Sequence, residues 1–250
     1  MSEEKLGLSQ KEIQQLHNNF KVLREYKMME KIPFTVSSFP FGSEEEFVKL
    51  FDEFNEGDSN VYVKNVIAED IVKNCLVSFN NEKVSKEEVE NFSPEKTNYI
   101  IEKFRELSSD IQEYLDGYER QELTEEEVEE YILTDKVTRN INLNFDEETQ
   151  PIKIKYHILN IKENKEVGKR IKELIEEEDV QSQVRAKYFN EFAYGVKMID
   201  SINGIAIDED NIKSVGVELI RFVLDRADKL ENQVTDVLNS PGKLGENLKN

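Results

Sequence analysis

Residues 201–212 read SINGIAIDEDNI, and this stretch carries the carboxylates and the glycine of a candidate calcium loop. Such a loop needs oxygen ligands at its first, third, fifth, seventh, ninth and twelfth positions, with glycine at the sixth. Counted from Asp208, the fifth position is Ile212; counted from Asn203, the third position is Ile205. Neither register supplies the ligands, so calcium binding is excluded for this stretch.

Other side chains that could do chemistry are few and badly spaced. His17 and His157 are the two histidines, and neither belongs to a paired-histidine metal motif. Cys75 is the single cysteine and lies on an apolar stripe, which is typical of a core thiol. Carboxylate pairs such as Glu125 and Glu129 lie in polar runs, where nothing would separate their pKa values. There is no phosphate-binding glycine motif. We therefore predict no catalytic, cofactor-binding or metal-binding residue and interpret the chain as a protein other than an enzyme.

Composition narrows the class of partner. The 250 residues include 53 acidic and 33 basic ones, for a net charge of −20, and this charge opposes binding to nucleic acids and to anionic membranes. No apolar run approaches the roughly 20 residues of a membrane span. The charged amino terminus lacks the apolar core of a signal peptide, so a cytoplasmic location is expected. With 38% hydrophobic residues, the chain can build a substantial core.

An amphipathic helix is predicted at the amino terminus, within residues 1–30. Ser9 and Glu12 form a capping box, and an apolar stripe follows it at helical spacing. The stripe could pack on the body of the protein or bind a partner, and we predict these residues as partner contacts: Ile13, Leu16, Phe20 and Leu23. The helix is expected to end before Pro33.

The remaining chain alternates helical and extended patterns. A short extended piece at 34–36 precedes a helix that starts near Gly42, and further helices are predicted at 63–76, 86–92 and 94–115. Residues 119–131 are strongly acidic, with seven glutamates, and are predicted to form an exposed helix or a solvated connector. Two strands are predicted around an acidic turn, with apolar residues at 141–145 and 152–158. Residues 239–250 are expected to be flexible.

The opening stretch has a counterpart earlier in the chain. SFNNEKVSKEEV begins at Ser78 and SINGIAIDEDNI begins at Ser201, 123 residues later, and the apolar register holds without a gap over about fifty positions. Two unrelated amphipathic helices of similar length would reproduce part of this register. We predict an α+β, mainly α-helical fold with two tandem degenerate repeats of strand-helix-helix-turn-helix-helix. The repeats are placed at 31–118 and 141–238, joined by an acidic connector at 119–140.

Within each repeat the matched stretch is expected to form a tight hairpin turn. Asn203 and Gly204 suit the positive φ angles of a two-residue turn, and Asn80 and Asn81 take the same places in the first copy. A helix is then expected to begin at Asp208.

Two segments carry a resemblance to a known family. Residues 65–108, NVIAEDIVKNCLVSFNNEKVSKEEVENFSPEKTNYIIEKFRELS, resemble the hub assembly chaperones of T-even-type tailed bacteriophages, including an Arg-x-x-Ser ending at 105–108. Residues 192–234 are similar to helical units of phage tail assembly chaperones, but 228–231 read Asp-Lys-Leu-Glu in place of that ending.

The resemblance implies a non-enzymatic assembly chaperone acting in the host cytoplasm. Its partner would be a hub or tape-measure component of the tail or baseplate, and it would leave before the virion is complete. Two alternatives share the sequence features: a structural tail or baseplate subunit retained in the virion, and an acidic adaptor or inhibitor of a nucleic-acid-binding protein. A homo-oligomer is left open.

Overall fold

The structure is a computed structural model that describes residues 20–55, 61–118, 123–135, 137–145, 151–180 and 182–239. In these residues the fold is mixed, as predicted, with eight α-helices and two four-stranded antiparallel sheets. We call residues 20–118 the first half and residues 123–239 the second half, because each contains one of the sheets.

The first half builds its sheet from two hairpins separated by a helical pair. Its elements are β1 Leu23–Met28, β2 Ile32–Ser37, α1 Phe41–Asn55, α2 Val61–Cys75, β3 Leu76–Phe79, β4 Glu82–Lys83, α3 Lys86–Val89 and α4 Pro94–Gly117. Ser93 caps α4 by accepting a hydrogen bond from the Lys96 backbone N–H, and Pro94 stands at the first helical position, where no backbone donor is needed.

The second half begins with a helix and then follows the same order. Its elements are α5 Glu125–Thr134, β5 Thr138–Leu143, β6 Ile152–His157, α6 Ile161–Glu177, α7 Gln183–Met198, β7 Ile199–Ile202, β8 Ile205–Ala206, a 3-10 turn Asn211–Ser214 and α8 Val217–Asn239.

Both sheets place their strands in sequence order, β1-β2-β3-β4 and β5-β6-β7-β8. In each, the register between the second and third strands shifts once, between Thr35 and Val36 and between Lys155 and Tyr156. Apolar side chains alternate toward the core along β5 and β6, so that one face of the second sheet packs on helices and the other carries polar residues.

The four predicted turn residues lie between the short third and fourth strands. Asn80 and Asn81 have φ angles of 54° and 63°, and Asn203 and Gly204 have φ angles of 51° and 81°. Two consecutive positive φ angles match the right-handed twist of the flanking strands, which explains the choice of Asn and Gly.

The predicted amino-terminal helix is wrong from Phe20 onward. Phe20 has a φ angle of 62°, and Leu23 opens β1, which pairs with β2 across a turn at Met29 and Glu30. The apolar residues within 22–28 suit the spacing of an amphipathic helix and also the alternation of a strand. The hydrogen-bonded pairing with β2 stabilises the strand. The single extended piece predicted at 34–36 is therefore one arm of a hairpin. Residues 1–19 lie outside the described residues.

The predicted acidic connector also contains ordered elements. Residues 125–134 form α5, whose Val128 is buried, and the Arg139 guanidinium on β5 binds the Glu127 carboxylate with two hydrogen bonds. The strand predicted from 141 starts at Thr138.

The helix expected from Asp208 is a 3-10 turn in which the Asp208 carboxylate accepts hydrogen bonds from the Asp210 and Asn211 backbone. Residues 240–250 lie outside the described residues.

A turn variant separates backbone strain from a hydrogen bond at Asn203. The Asn203 Oδ1 accepts a hydrogen bond from the Lys153 N–H at 2.8 Å. Asn203→Gly loses this bond but keeps the positive φ, so unfolding free energy should fall by about 1 kcal/mol. Asn203→Ala loses the bond and adds strain, for a total loss of about 2 kcal/mol. Urea unfolding followed by circular dichroism measures both. Equal stability of the two variants would contradict the importance of φ at this position.

Candidate functional site

The two halves meet around Phe41, the first residue of α1. Its side chain has no exposed surface, and its ring stacks on Tyr188 at 4.8 Å between centroids and lies 6.5 Å from Phe192. Both partner rings come from α7 of the second half. We call the contact of residues 38–45 with α7, the 3-10 turn and the start of α8 the junction.

Backbone hydrogen bonds hold the same region. The Phe41 N–H donates to the Val215 carbonyl at 2.8 Å, and the Val217 N–H donates to the Phe39 carbonyl at 3.0 Å. Pro40 and Gly216 form an isolated antiparallel bridge between these two bonds. The junction therefore contains a short stretch of β-pairing between segments that lie more than 170 residues apart in the chain.

Two glycines allow the backbones to approach at the junction. A Cβ atom at Gly42 would lie 2.6 Å from the Lys213 Cβ and 3.1 Å from its carbonyl oxygen. A Cβ atom at Gly216 would lie 2.6 Å from the Ser38 Oγ, which is buried and accepts a hydrogen bond from the Val22 N–H. Neither position has room for a larger residue.

Charged side chains complete the junction. The Arg221 guanidinium on α8 lies 2.5 Å from a Glu44 oxygen on α1 and 3.1 Å from a Glu191 oxygen on α7. Arg185 on α7 faces Glu45 on α1 at 3.7 Å. Carboxylates at the first turn of α1 also complement the positive end of its dipole.

Two half-buried carboxylates at the junction, Glu44 and Glu218, each have one buried oxygen that no described residue pairs. Glu218 accepts a hydrogen bond from the Ser108 hydroxyl at 2.8 Å, while its second oxygen and one oxygen of Glu44 have no hydrogen-bond partner. Burial raises the pKa of Glu218 and the pKa of Glu44, against the opposing effects of Ser108 and Arg221 respectively. The stability of the junction should therefore depend on pH.

The sequence-predicted site residues lie elsewhere. Phe20 and Leu23 are 5% and 6% exposed and belong to the core, so neither is available to a partner. Ile13 and Leu16 lie outside the described residues. Asn80, Asn81, Asn203 and Gly204 form hairpin turns.

His157 lies among residues that connect secondary-structure elements. His157 is buried, and its Nδ1 lies 2.9 Å from the Asp200 Oδ1. Its Nε2 lies 3.6 Å from a Glu163 oxygen, beyond hydrogen-bond range, and Glu163 already caps α6. This arrangement ties β6 to β7 and to the start of α6. The sequence points to neither carboxylate as a neighbour of His157, since both lie on other elements. His17 is not among the described residues.

The cysteine is also placed in the core. Cys75 is fully buried at the end of α2, and burial raises the pKa of its thiol well above the usual range. Among the described residues, no three or more His, Cys, Asp or Glu side chains are grouped so as to hold a metal ion. No helix in the described ranges has the length and apolar character needed to cross a membrane.

The junction is not predicted from the sequence, because almost no local residue pattern marks the segments that form it. The helix start near Gly42 is predicted correctly, but nothing local shows that Phe41 leaves its own half. Gly216 stands between two valines, which is the one local hint of a close backbone approach.

Glycine substitutions test the close approach. Gly216→Ala and Gly42→Ala should each lower the free energy of unfolding by about 1–3 kcal/mol, because the added methyl group meets packed atoms. Gly168→Ala is the matched control, because Gly168 lies inside α6 and an added Cβ atom would meet open space. This variant should raise the free energy of unfolding by up to about 1 kcal/mol. Thermal unfolding measures all three. Junction variants as stable as the control would refute the close packing.

A carboxylate substitution tests the pH dependence. The raised folded pKa of Glu218 means that its contribution to stability is complete below the unfolded pKa of about 4.3 and is lost as pH rises through the folded pKa. Glu218→Gln keeps an acceptor for Ser108 and removes the buried charge. It should stabilise the protein at pH 7 by on the order of 1 kcal/mol, with a gain that vanishes near pH 4. The exposed Glu126→Gln serves as control. A Glu218→Gln variant that is less stable than the parent protein at pH 7 would contradict the prediction.

No family model, no curated protein and no solved structure matches this chain. The function proposed below is therefore argued from the residues and their arrangement.

Proposed function

We propose that the chain is a tail or baseplate assembly chaperone of a tailed bacteriophage. It would bind a hub or tape-measure component in the host cytoplasm and shield it during assembly, without catalysing a reaction. The observation that carries the proposal lies on α5, where Ile132 and Leu133 are 54% and 83% exposed. Such a pair of large apolar side chains on a strongly acidic helix favours a protein-binding role.

The surroundings of this pair suit reversible binding. Exposed carboxylates of Glu126, Glu129 and Glu130 share α5 with Ile132 and Leu133. Burial of the two apolar side chains would supply affinity of about 1.5–3 kcal/mol each. The carboxylates and the net charge of −20 would keep the free protein soluble and limit self-association. Ile132 and Leu133 replace Phe20 and Leu23 as the proposed partner contacts.

We also propose that the two halves descend from a duplication. The register shifts after Thr35 and after Lys155 lie 120 residues apart. The Asn80 N–H donates to the Pro33 carbonyl at 2.7 Å, and the Asn203 N–H donates to the Lys153 carbonyl at the same distance. Similarly, Ser38 N–H donates to Val22 and Ile158 N–H donates to Val137. Recurring hydrogen bonds of this kind support common descent more strongly than the apolar register does.

Co-expression tests the chaperone role. Each hub or tape-measure protein would be produced alone and with this chain, and its soluble fraction would be measured after centrifugation. We expect the chain to raise the soluble fraction of one such protein several-fold. The double variant Ile132→Asp/Leu133→Asp should lose most of this effect, since two charges would have to enter an apolar contact.

A matched double variant controls for charge. Ile161 and Val184 are 77% and 50% exposed at the first turns of α6 and α7, and Ile161→Asp/Val184→Asp adds the same two charges. This control should solubilise the partner as the parent chain does. Equal loss in both double variants would exclude α5 as the binding surface. No solubilisation of any tail component by the parent chain would refute the chaperone role.

A further inference from the structure

The outer face of the second sheet is a regular array of amide and ammonium groups. Asn142 pairs across the strands with Lys153, and Asn140 pairs with Lys155, which is opposed by Ser201 on its other side. The asparagines and lysines are exposed. Together with neighbouring residues they line an open concavity of about 570 Å³.

Lys153 and Lys155 place two positive charges on this face. Lys153 and Lys155 form no ion pair within the described part of the chain. Several lysines on helices are paired: Lys73, Lys162 and Lys197 each lie within 4 Å of a glutamate oxygen. The two lysines lie two positions apart on β6 and therefore point to the same face of the sheet, in a chain with a net charge of −20.

The first sheet lacks this array. At the positions that correspond in strand and register, Glu25 pairs with Thr35 and Lys27 pairs with Pro33. The positive face is therefore a property of the second half and is independent of what the fold requires.

We propose that the outer face of the second sheet docks an extended acidic segment of a protein partner. Residues two apart on a strand are separated by about 7 Å, so Lys153 and Lys155 match carboxylates at alternate positions of an extended chain. Asn142 and Asn140 stand directly opposite these lysines, and each can donate an amide N–H to the same carboxylate. Each carboxylate thus meets one ammonium and one amide group.

A protein segment fits better than a nucleic acid. A segment with two or three carboxylates brings little charge toward the acidic remainder of the molecule. A longer polyanion would extend beyond two lysines and be repelled by the net charge of −20. The inference rests on the proposed function only in that the escorted protein would supply the segment.

The binding test uses a defined probe with the full chain. A fluorescein-labelled peptide, TETETETET, is titrated with protein at low salt and followed by fluorescence anisotropy, beside the same peptide with glutamine at each glutamate. We expect binding of the glutamate peptide alone, weakened by added salt. Lys153→Glu/Lys155→Glu should reduce affinity at least about tenfold, because attraction becomes repulsion. Circular dichroism confirms that each variant is folded.

Lys162→Glu/Lys169→Glu is the matched control, with the same charge change at two exposed positions of α6. This variant should bind the peptide within about twofold of the parent protein. Equal weakening in both variants, no binding by the parent protein, or preferential binding of a dT12 oligonucleotide would overturn the proposal. If the parent protein does not bind the peptide but still solubilises a tail component, the docking face alone is refuted and the chaperone role stands.

Discussion

The packing of Phe41 against Tyr188 and Phe192 is the contact on which the arrangement of the two halves depends. Full burial of one phenylalanine contributes about 1.5–3 kcal/mol, a large part of the stability of a typical domain. The ring reaches its pocket only because the backbones approach closely at Gly42 and Gly216. The burial of the Phe41 ring and the backbone pairing at the junction therefore depend on each other.

The junction joins two different surfaces and is not reciprocal. The first half contacts α8 at two points along the helix. The Ser108 hydroxyl donates to the Glu218 carboxylate, and the Tyr118 carbonyl accepts a hydrogen bond from the Arg226 guanidinium. A two-fold pair would instead have made each contact twice.

A head-to-tail contact of this kind repeats into a filament only where the same surfaces recur at the outer ends of the molecule. Ile161 stands in the second half where Phe41 stands in the first, and it is exposed. Under the proposed duplication, Ser93 and Pro94 take the places of Gly216 and Val217. Proline lacks the N–H that Val217 donates to Phe39, and serine adds the Cβ that Gly216 avoids. The outer ends therefore lack the features that form the junction.

The sequence predicts a turn or a helix start correctly where only a few residue types suit the local backbone geometry. Asn80, Asn81, Asn203 and Gly204 are predictable as turn residues because few residues tolerate positive φ, and the helix at Pro94 is predictable from its cap. The strand that begins at Leu23 is not predicted, because the spacing of its apolar residues suits both a helix and a strand. Only the pairing with β2, a tertiary contact, selects the strand. The junction escapes prediction because Phe41 contacts residues about 150 positions away, and no local pattern encodes such a contact.

Quantitative mass spectrometry of infected cells and of purified virions tests the central claim most directly. A transient chaperone should be abundant in the lysate, associated with a hub or tape-measure component, and present in purified virions far below one copy per tail. A constant, stoichiometric amount in purified virions would contradict the account and identify the chain as a structural subunit.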